Sequence, residues 1–299
     1  MVVNQVCILF LMILIGFCLR KKQLLNTELN NGLVSLLLTV TVPFTIINSF
    51  LHIKYSVTVL HQMAIAFGGV VFIHFLATLL GWLFFRRYPA QTRNILWFAV
   101  IFSNSGFMGL PVLESLYGKP GVFYGSIYIV VFNLLVWTLG VYLFEGKMDL
   151  KSLKQALLNP AIIAVAIGFI LFAFSIKPLT AIATTLEMVA GTTTPLSMIV
   201  IGSMLADLKL AEFFDGLTVY YGSLARLLIV PLMGLPIFRL MGLPVNIYRV
   251  ILMTAAMPVG TMTAILAEKY GADTSLASRL VVISTALSIL TIPLISLLI

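Results

Sequence analysis

Asn104-Ser105-Gly106-Phe107-Met108-Gly109-Leu110-Pro111 interrupts an apolar run that begins at Ile95 and resumes as far as Leu116-Tyr117-Gly118. Inside lipid every backbone N–H and C=O must be satisfied within the protein. An asparagine, two glycines and a proline at mid-depth therefore break a helix where a break is costly, unless the freed backbone lines a cavity. The design recurs. Ile251 to Ala256 leads into Met257-Pro258-Val259-Gly260-Thr261, which closes on Leu266-Ala267-Glu268-Lys269-Tyr270-Gly271. The two Tyr-Gly endings stand 153 residues apart in a chain of 299. Paired interrupted spans at corresponding positions of two halves point to a ligand site between them.

Composition agrees with a membrane environment. Hydrophobic residues make up 61% of the chain and charged residues 9%, against about 25% charged in soluble proteins. The net charge of +8 is no nucleic-acid signal, because no basic stripe with interleaved aromatics accompanies it. Most Lys and Arg fall in short loops between apolar runs, as membrane topology requires. Cys7 and Cys18 share the first span, ~16 Å apart along one helix, too far for a disulfide. The charges Arg20, Lys21 and Lys22 follow the first apolar run, the reverse of a cleaved signal peptide, so the first span is expected to be retained.

The pattern predicts an all-α polytopic membrane protein of ten transmembrane helices, over 3–19, 30–51, 57–85, 95–116, 121–144, 160–176, 180–205, 216–238, 247–267 and 275–298. Residues 146–159 form the one long polar connection, expected in the cytoplasm. It separates a first five-helix repeat, 1–145, from a second, 160–299. An odd number of spans per half makes the second repeat inverted relative to the first. Thr41-Val42-Pro43 on span two and Thr193-Thr194-Pro195 on span seven stand 152 residues apart, nearly the same offset as the Tyr-Gly pair. With the N-terminus outside, the inner loops hold Arg20, Lys21, Lys22, Arg86, Arg87, Arg93, Lys147, Lys151, Lys154, Lys209 and Lys269. The outer side holds only Lys54, Lys119, Lys177, Arg239 and Arg249. This asymmetry predicts a multi-pass protein of the cytoplasmic membrane with both termini on the outer side.

Counting inward from charged loops at about 1.5 Å per residue places Asn104, Asn133 and Pro258 near the bilayer centre. A half-helix that begins at a break turns its free N–H groups and positive dipole end toward the gap. Helix N-termini meeting at one point make an anion site. The candidate binding residues are Asn104, Ser105, Gly106, Asn133, Arg226, Pro258, Gly260 and Thr261. Against this stands a bland reading in which Asn104 only caps a half-helix and Pro258 only kinks a span. Arg226 is the one Lys or Arg deep in a span, and an intramembrane charge costs at least ~2.5 kcal/mol. It is expected to attract an anionic guest, the structural alternative being a set of carbonyl contacts. His74, central on span three, and Glu114, near the outer end of span four, are the candidates for proton coupling. The chain carries no zinc motif, no nucleophile elbow and no P-loop, so an enzyme is not expected, nor any cofactor or bound metal.

These same motifs carry a family likeness. Asn104 through Pro111 with Tyr117-Gly118, Val42-Pro43, Gly191-Thr-Thr-Thr-Pro195-Leu-Ser-Met198 with Gly202, and Ala255-Ala-Met-Pro258 through Tyr270-Gly271 together resemble the auxin efflux carrier family, especially its bacterial malate- and malonate-permease branch. The resemblance implies the fold of the bile acid, arsenite and riboflavin transporter superfamily, with helices four and nine unwound and crossing. It implies a scaffold of spans one, two, six and seven that forms a homodimer. Spans three to five and eight to ten would carry a small carboxylate in an elevator movement. Coupling to protons or to the membrane potential would follow. Plant members have proline in both crossings, whereas Asn104-Ser105-Gly106 has none, which argues against auxin itself. A sodium-coupled organic anion symporter, or a channel or sensor on the same fold, are the alternatives.

Overall fold

A computed structural model describes residues 2–147, 150–207 and 216–299. Lys209, used above as a loop landmark, lies outside these residues, as does part of the 146–159 connection. All regular structure among the described residues is helical: α1 (Val2–Lys21), α2 (Thr27–Leu51) and α3 (Val57–Phe85), α4 (Ala90–Ile101), α5 (Ser105–Glu145), α6 (Leu150–Leu157), α7 (Pro160–Ala173), α8 (Thr180–Ala206) and α9 (Leu217–Leu240), α10 (Val245–Ala255), α11 (Met262–Lys269) and α12 (Thr274–Leu298). Six of these, α2, α3, α5, α8, α9 and α12, are long and apolar enough to cross a membrane. Helices α7 and α10 are shorter and equally apolar.

Where the sequence separates spans four and five, α5 is two helical stretches joined end to end across a kink. It turns at Gly118 (φ 64, ψ −157) just before Pro120. Three helices widen by a π-type turn one residue ahead of a proline: Leu37–Thr41 before Pro43, Ser105–Gly109 before Pro111 and Ala225–Ile229 before Pro231. A proline lacks its N–H, and its ring crowds the carbonyl four residues back. A wider turn relieves that crowding without ending the helix.

Burial is graded in a way that suits a bilayer. Apolar side chains such as Leu11, Leu14, Phe75, Ile163, Ile167 and Leu290 face outward, where hydrocarbon accepts them. By contrast the residues Ile251–Gly260 are all buried, as are Ala99–Ser105. The broken backbone thus sits inside protein, the condition under which non-helical chain is tolerated at membrane depth.

Helix α1 lies backbone to backbone against the second half of α8. A Cβ at Gly16 would stand 2.0 Å from the Ile199 carbonyl oxygen, and one at Gly202 would stand 1.9 Å from that of Ile13. Small residues let membrane helices approach this closely. Helix α2 packs on α7, with Gly168 against the Phe50 ring, and on α8, where the Thr45 and Thr193 hydroxyls are 2.7 Å apart.

Gly202→Val should separate α1 from α8 and cost about 1–3 kcal/mol or more by overpacking. Gly32→Ala, where an added Cβ meets nothing within 4 Å, should be neutral or slightly stabilising. Thermal unfolding of the purified variants in detergent checks the contrast, and equal midpoints would contradict the packing described.

Candidate functional site

The chain leaves helical geometry at Phe102, past the end of α4 (φ −109, ψ 101), and again between α10 and α11. The two loosened segments run antiparallel and meet at a bridge between Ser103 and Val259. Two backbone bonds close it: Asn104 N–H to the Pro258 carbonyl at 2.8 Å, and Gly260 N–H to the Phe102 carbonyl at 2.9 Å. The Val259 N–H donates to Ser284 Oγ of α12 at 3.0 Å. Broken backbone in a buried place must find partners outside its own helix; here each segment supplies them to the other, and α12 supplies one more. Gly260 permits the approach, since a Cβ there would press on the Ser103 and Phe102 carbonyl oxygens at 3.1 and 3.2 Å.

A pocket of about 190 Å³ opens beside this crossing. Ser103, Asn104, Ser105, Gly106 and Phe107 line it from one segment, and Gly260, Thr261, Met262 and Ile265 from the other. Ile129, Phe132 and Asn133 of α5, Leu38, Thr39 and Val42 of α2, and Asn159, Pro160 and Ala161 complete the wall. The first turns of α5 and α11 thus both face the cavity, and a helix's first turn carries N–H groups without intrahelical acceptors. Ser105 Oγ is buried without a hydrogen-bond partner. The Asn133 amide donates one N–H to the Ile129 carbonyl at 2.9 Å, and its second remains for a guest. Among the described residues, no Lys, Arg, His, Asp or Glu is in the lining. The volume is below the roughly 300–1,000 Å³ of drug-sized ligand sites, so it suits a compact guest.

The expected binding residues Asn104, Ser105, Gly106, Asn133, Gly260 and Thr261 therefore share one cavity. Pro258 does not line it; its part is the carbonyl that receives Asn104. Arg226, expected to attract an anionic guest, does not line it either; its contacts are with backbone carbonyls. It is fully buried in the π-type turn of α9, where it meets the last residues of α4 and the chain just past α10. Its Nη1 donates to the Val100 carbonyl at 2.6 Å and to that of Ile101 at 3.3 Å, and its Nε to that of Met257 at 3.3 Å.

The two coupling candidates also lie away from the cavity wall. His74 is buried, with Nδ1 donating to the Val70 carbonyl at 2.8 Å and its ring 4.7 Å from that of Tyr128. The Tyr128 hydroxyl is 3.5 Å from Ser103 Oγ, which links His74 to the crossing only through intermediaries. Glu114 pairs with Lys119 at 2.8 Å and accepts from the Thr194 hydroxyl at 3.3 Å.

Sequence reasoning missed Ser103, Ser284, Thr39 and Asn159. A serine in an apolar span is common enough to pass unnoticed. Asn159-Pro160 did carry a signal, an N-cap followed by N1 proline, and the Asn159 side chain accepts from Ala161 N–H at 2.9 Å.

Comparison with known proteins turns this geometry into a family assignment. The model of a family described as membrane transport proteins, the auxin-efflux-carrier-like group, matches the chain twice, over residues 1–151 and 146–296. The chain belongs to this family. An uncharacterized transporter of Methanothermobacter thermautotrophicus is 30% identical over 198 residues, covering 66% of this chain and 65% of that relative. One of Methanocaldococcus jannaschii is 25% identical over 306 residues, 97% of this chain and 96% of its own length. Family and apolar helices together make this a multi-pass membrane protein of the transporter class. The two family matches divide the chain close to the polar connection after Glu145.

Ser284→Ala should leave the Val259 N–H buried and unpaired, at a cost of about 1–3 kcal/mol. Ser288→Ala, whose hydroxyl serves only the Thr285 carbonyl on its own helix at 2.7 Å, should cost less. Melting temperatures of the two variants decide the point. A silent Ser284 variant would mean that the crossing does not need α12.

Proposed function

We propose that this protein is a secondary transporter of small organic carboxylate anions, which bind at the crossing of the two broken segments. The observation that carries the reading is the joint exposure of two helix first turns, at Ser105–Phe107 and Thr261–Met262, to one compact cavity. Each such terminus carries about half a positive charge, and two converging ones favour an anion without any charged side chain. The amides of Asn104 and Asn133 and the hydroxyls of Ser105 and Thr261 add neutral donors. The apolar walls, Phe107, Ile129, Phe132, Met262 and Ile265, would hold the rest of the guest.

Under this proposal the chain makes ten crossings. Helix α1, α2, α3, then α4 with residues 105–117, and residues 119–145 form the first five. Helix α7, α8, α9, then α10 with α11, and α12 form the inverted second five. The two family matches of similar length support such a repeat. The scaffold would be α1, α2, α7 and α8, whose close packing through Gly16, Gly202 and Gly168 supports a rigid unit. The remaining helices would carry the anion past it in an elevator movement, in the cytoplasmic membrane, with both termini outside and two protomers joined through their scaffolds. Since α2 and the Asn159–Ala161 start of α7 close one wall of the cavity, that wall belongs to the scaffold and the crossing to the moving part. A guest held between them changes access when one slides. Protons or the membrane potential would drive the cycle.

Protein reconstituted in liposomes should take up labelled lactate, malonate or malate saturably, and exchange it against the same acid inside. Asn133→Leu and Thr261→Val should each reduce uptake by roughly tenfold, about the 1.4 kcal/mol of one charge-assisted hydrogen bond. Glu268→Gln, outside the cavity, should leave it intact. Uptake that grows linearly without saturation, or that ignores both cavity variants, would refute the proposal.

A further inference from the structure

Arg226 is the largest fully buried side chain among the described residues, and among those residues no carboxylate lies within ion-pair distance of it. A buried cation without an acid is costly enough that something else must hold it. Here the holders are backbone carbonyls. Val100 and Ile101 are the last residues of α4, whose carbonyls find no partner in their own helix. Met257 follows the end of α10. Both half-helix C-termini, each carrying about half a negative charge, thus converge on one guanidinium, and three carbonyl oxygens at 2.6, 3.3 and 3.3 Å surround it. Three converging carbonyls are the kind of cradle that otherwise takes a dissociable cation.

We infer that Arg226 is a tethered cation: it fills a carbonyl cradle behind the crossing, cancels the two negative helix ends there, and so leaves the two positive ends at the pocket unopposed. It is a positioning residue, acting on the guest through the Phe102–Asn104 and Met257–Gly260 segments that it pins. The inference rests on the proposed anion site for its consequence, but its core, a fixed charge standing in a cation's place, does not depend on that reading. Two properties of the side chain are needed. The charge balances the helix ends, and the planar fork reaches carbonyls on two segments at once. A lysine keeps the first and loses part of the second; a methionine keeps the length and loses both.

The test uses the full-length protein in detergent and three variants, Arg226→Lys, Arg226→Met and Arg226→Ala, read by thermal unfolding and by binding of lactate, malonate and malate. Arg226→Met is expected to melt well below the wild type and to bind the anion roughly 5–150-fold more weakly, the usual size of coupling between two sites. Arg226→Lys should fall between the two. Arg226→Ala opens the cradle, so millimolar guanidinium or methylguanidinium should raise its melting temperature and restore anion binding. Urea, the neutral analogue of the same shape, should do neither, and the wild type should respond to none of them.

A methionine variant that melts and binds like the wild type would overturn the inference, as would a lysine variant no better than methionine. So would an alanine variant on which guanidinium has no more effect than urea. If the wild type binds none of the three acids while guanidinium still rescues Arg226→Ala, the anion reading fails and the tethered cation stands. If Arg226→Ala does not fold, the order of the lysine and methionine variants decides.

Discussion

Everything in this molecule answers to the cost of leaving backbone polar groups unpaired away from water. A continuous helix meets that cost by itself; a broken one does not, and this chain breaks two. The antiparallel bridge at Ser103 and Val259 is the solution. Each segment offers its N–H groups to the carbonyls of the other, Asn104 to Pro258 and Gly260 to Phe102. Ser284 takes the Val259 N–H. Arg226 collects the carbonyls that remain at the helix ends. The first turns of α5 and α11, which look into the cavity, hold N–H groups without an intrahelical acceptor. The site is a remainder of the same accounting that holds the fold together.

That accounting explains how much could be read from the chain alone. The breaks lie where glycine, proline and asparagine crowd into apolar runs, because those residues weaken or end helices whatever surrounds them. Local chemistry was enough, and the cavity residues Asn104, Ser105, Gly106, Gly260 and Thr261 followed from it. Asn133 was found by depth counting, which needs only the rise of a helix. Arg226 shows the limit. Depth and charge marked it as exceptional, yet a side chain can face either way across a crossing, and its direction depends on how α9 packs behind α4 and α10. The carbonyl contacts were the less favoured alternative in the sequence, and they are what the structure contains. Ser284 was illegible for the same reason: its importance comes from a neighbour 25 residues away, with no local pattern to announce it. The break between spans four and five was legible as well: Tyr117-Gly118-Lys119-Pro120 sets a glycine and a proline together, and the chain leaves helical geometry at Gly118.

The division of labour between the two faces of the crossing also accounts for the polar residues that do not line the cavity. His74 satisfies Nδ1 on its own helix and packs its ring on Tyr128. Glu114 is held by Lys119 and Thr194, outside the cavity lining. The Glu114–Thr194 contact joins α5 to α8, and Ser115 similarly reaches Gln5 of α1 at 3.2 Å. These are links between helices that the elevator reading assigns to different bodies. Part-buried side-chain hydrogen bonds such as these are worth about 1 kcal/mol each, little enough to break and re-form in the proposed cycle.

A site built from helix ends rather than charged side chains has a further consequence for moving an anion. A transported guest must be attracted strongly enough to leave water and weakly enough to be released again. A lysine or arginine in direct contact would hold a carboxylate by a charge-assisted, bidentate bond, the strongest kind available in a dry interior, and release would be slow. Partial charges on backbone N–H groups give a shallower well, spread over several donors, none of which has to move for the guest to depart. On the proposed anion reading, with its one nearby full charge committed to carbonyl oxygens, this crossing would keep positive potential at the cavity while withholding a permanent partner from whatever enters it. On that same proposed reading, Arg226 in the lining would make a better binder and a worse transporter, whereas held by carbonyls its charge would serve turnover.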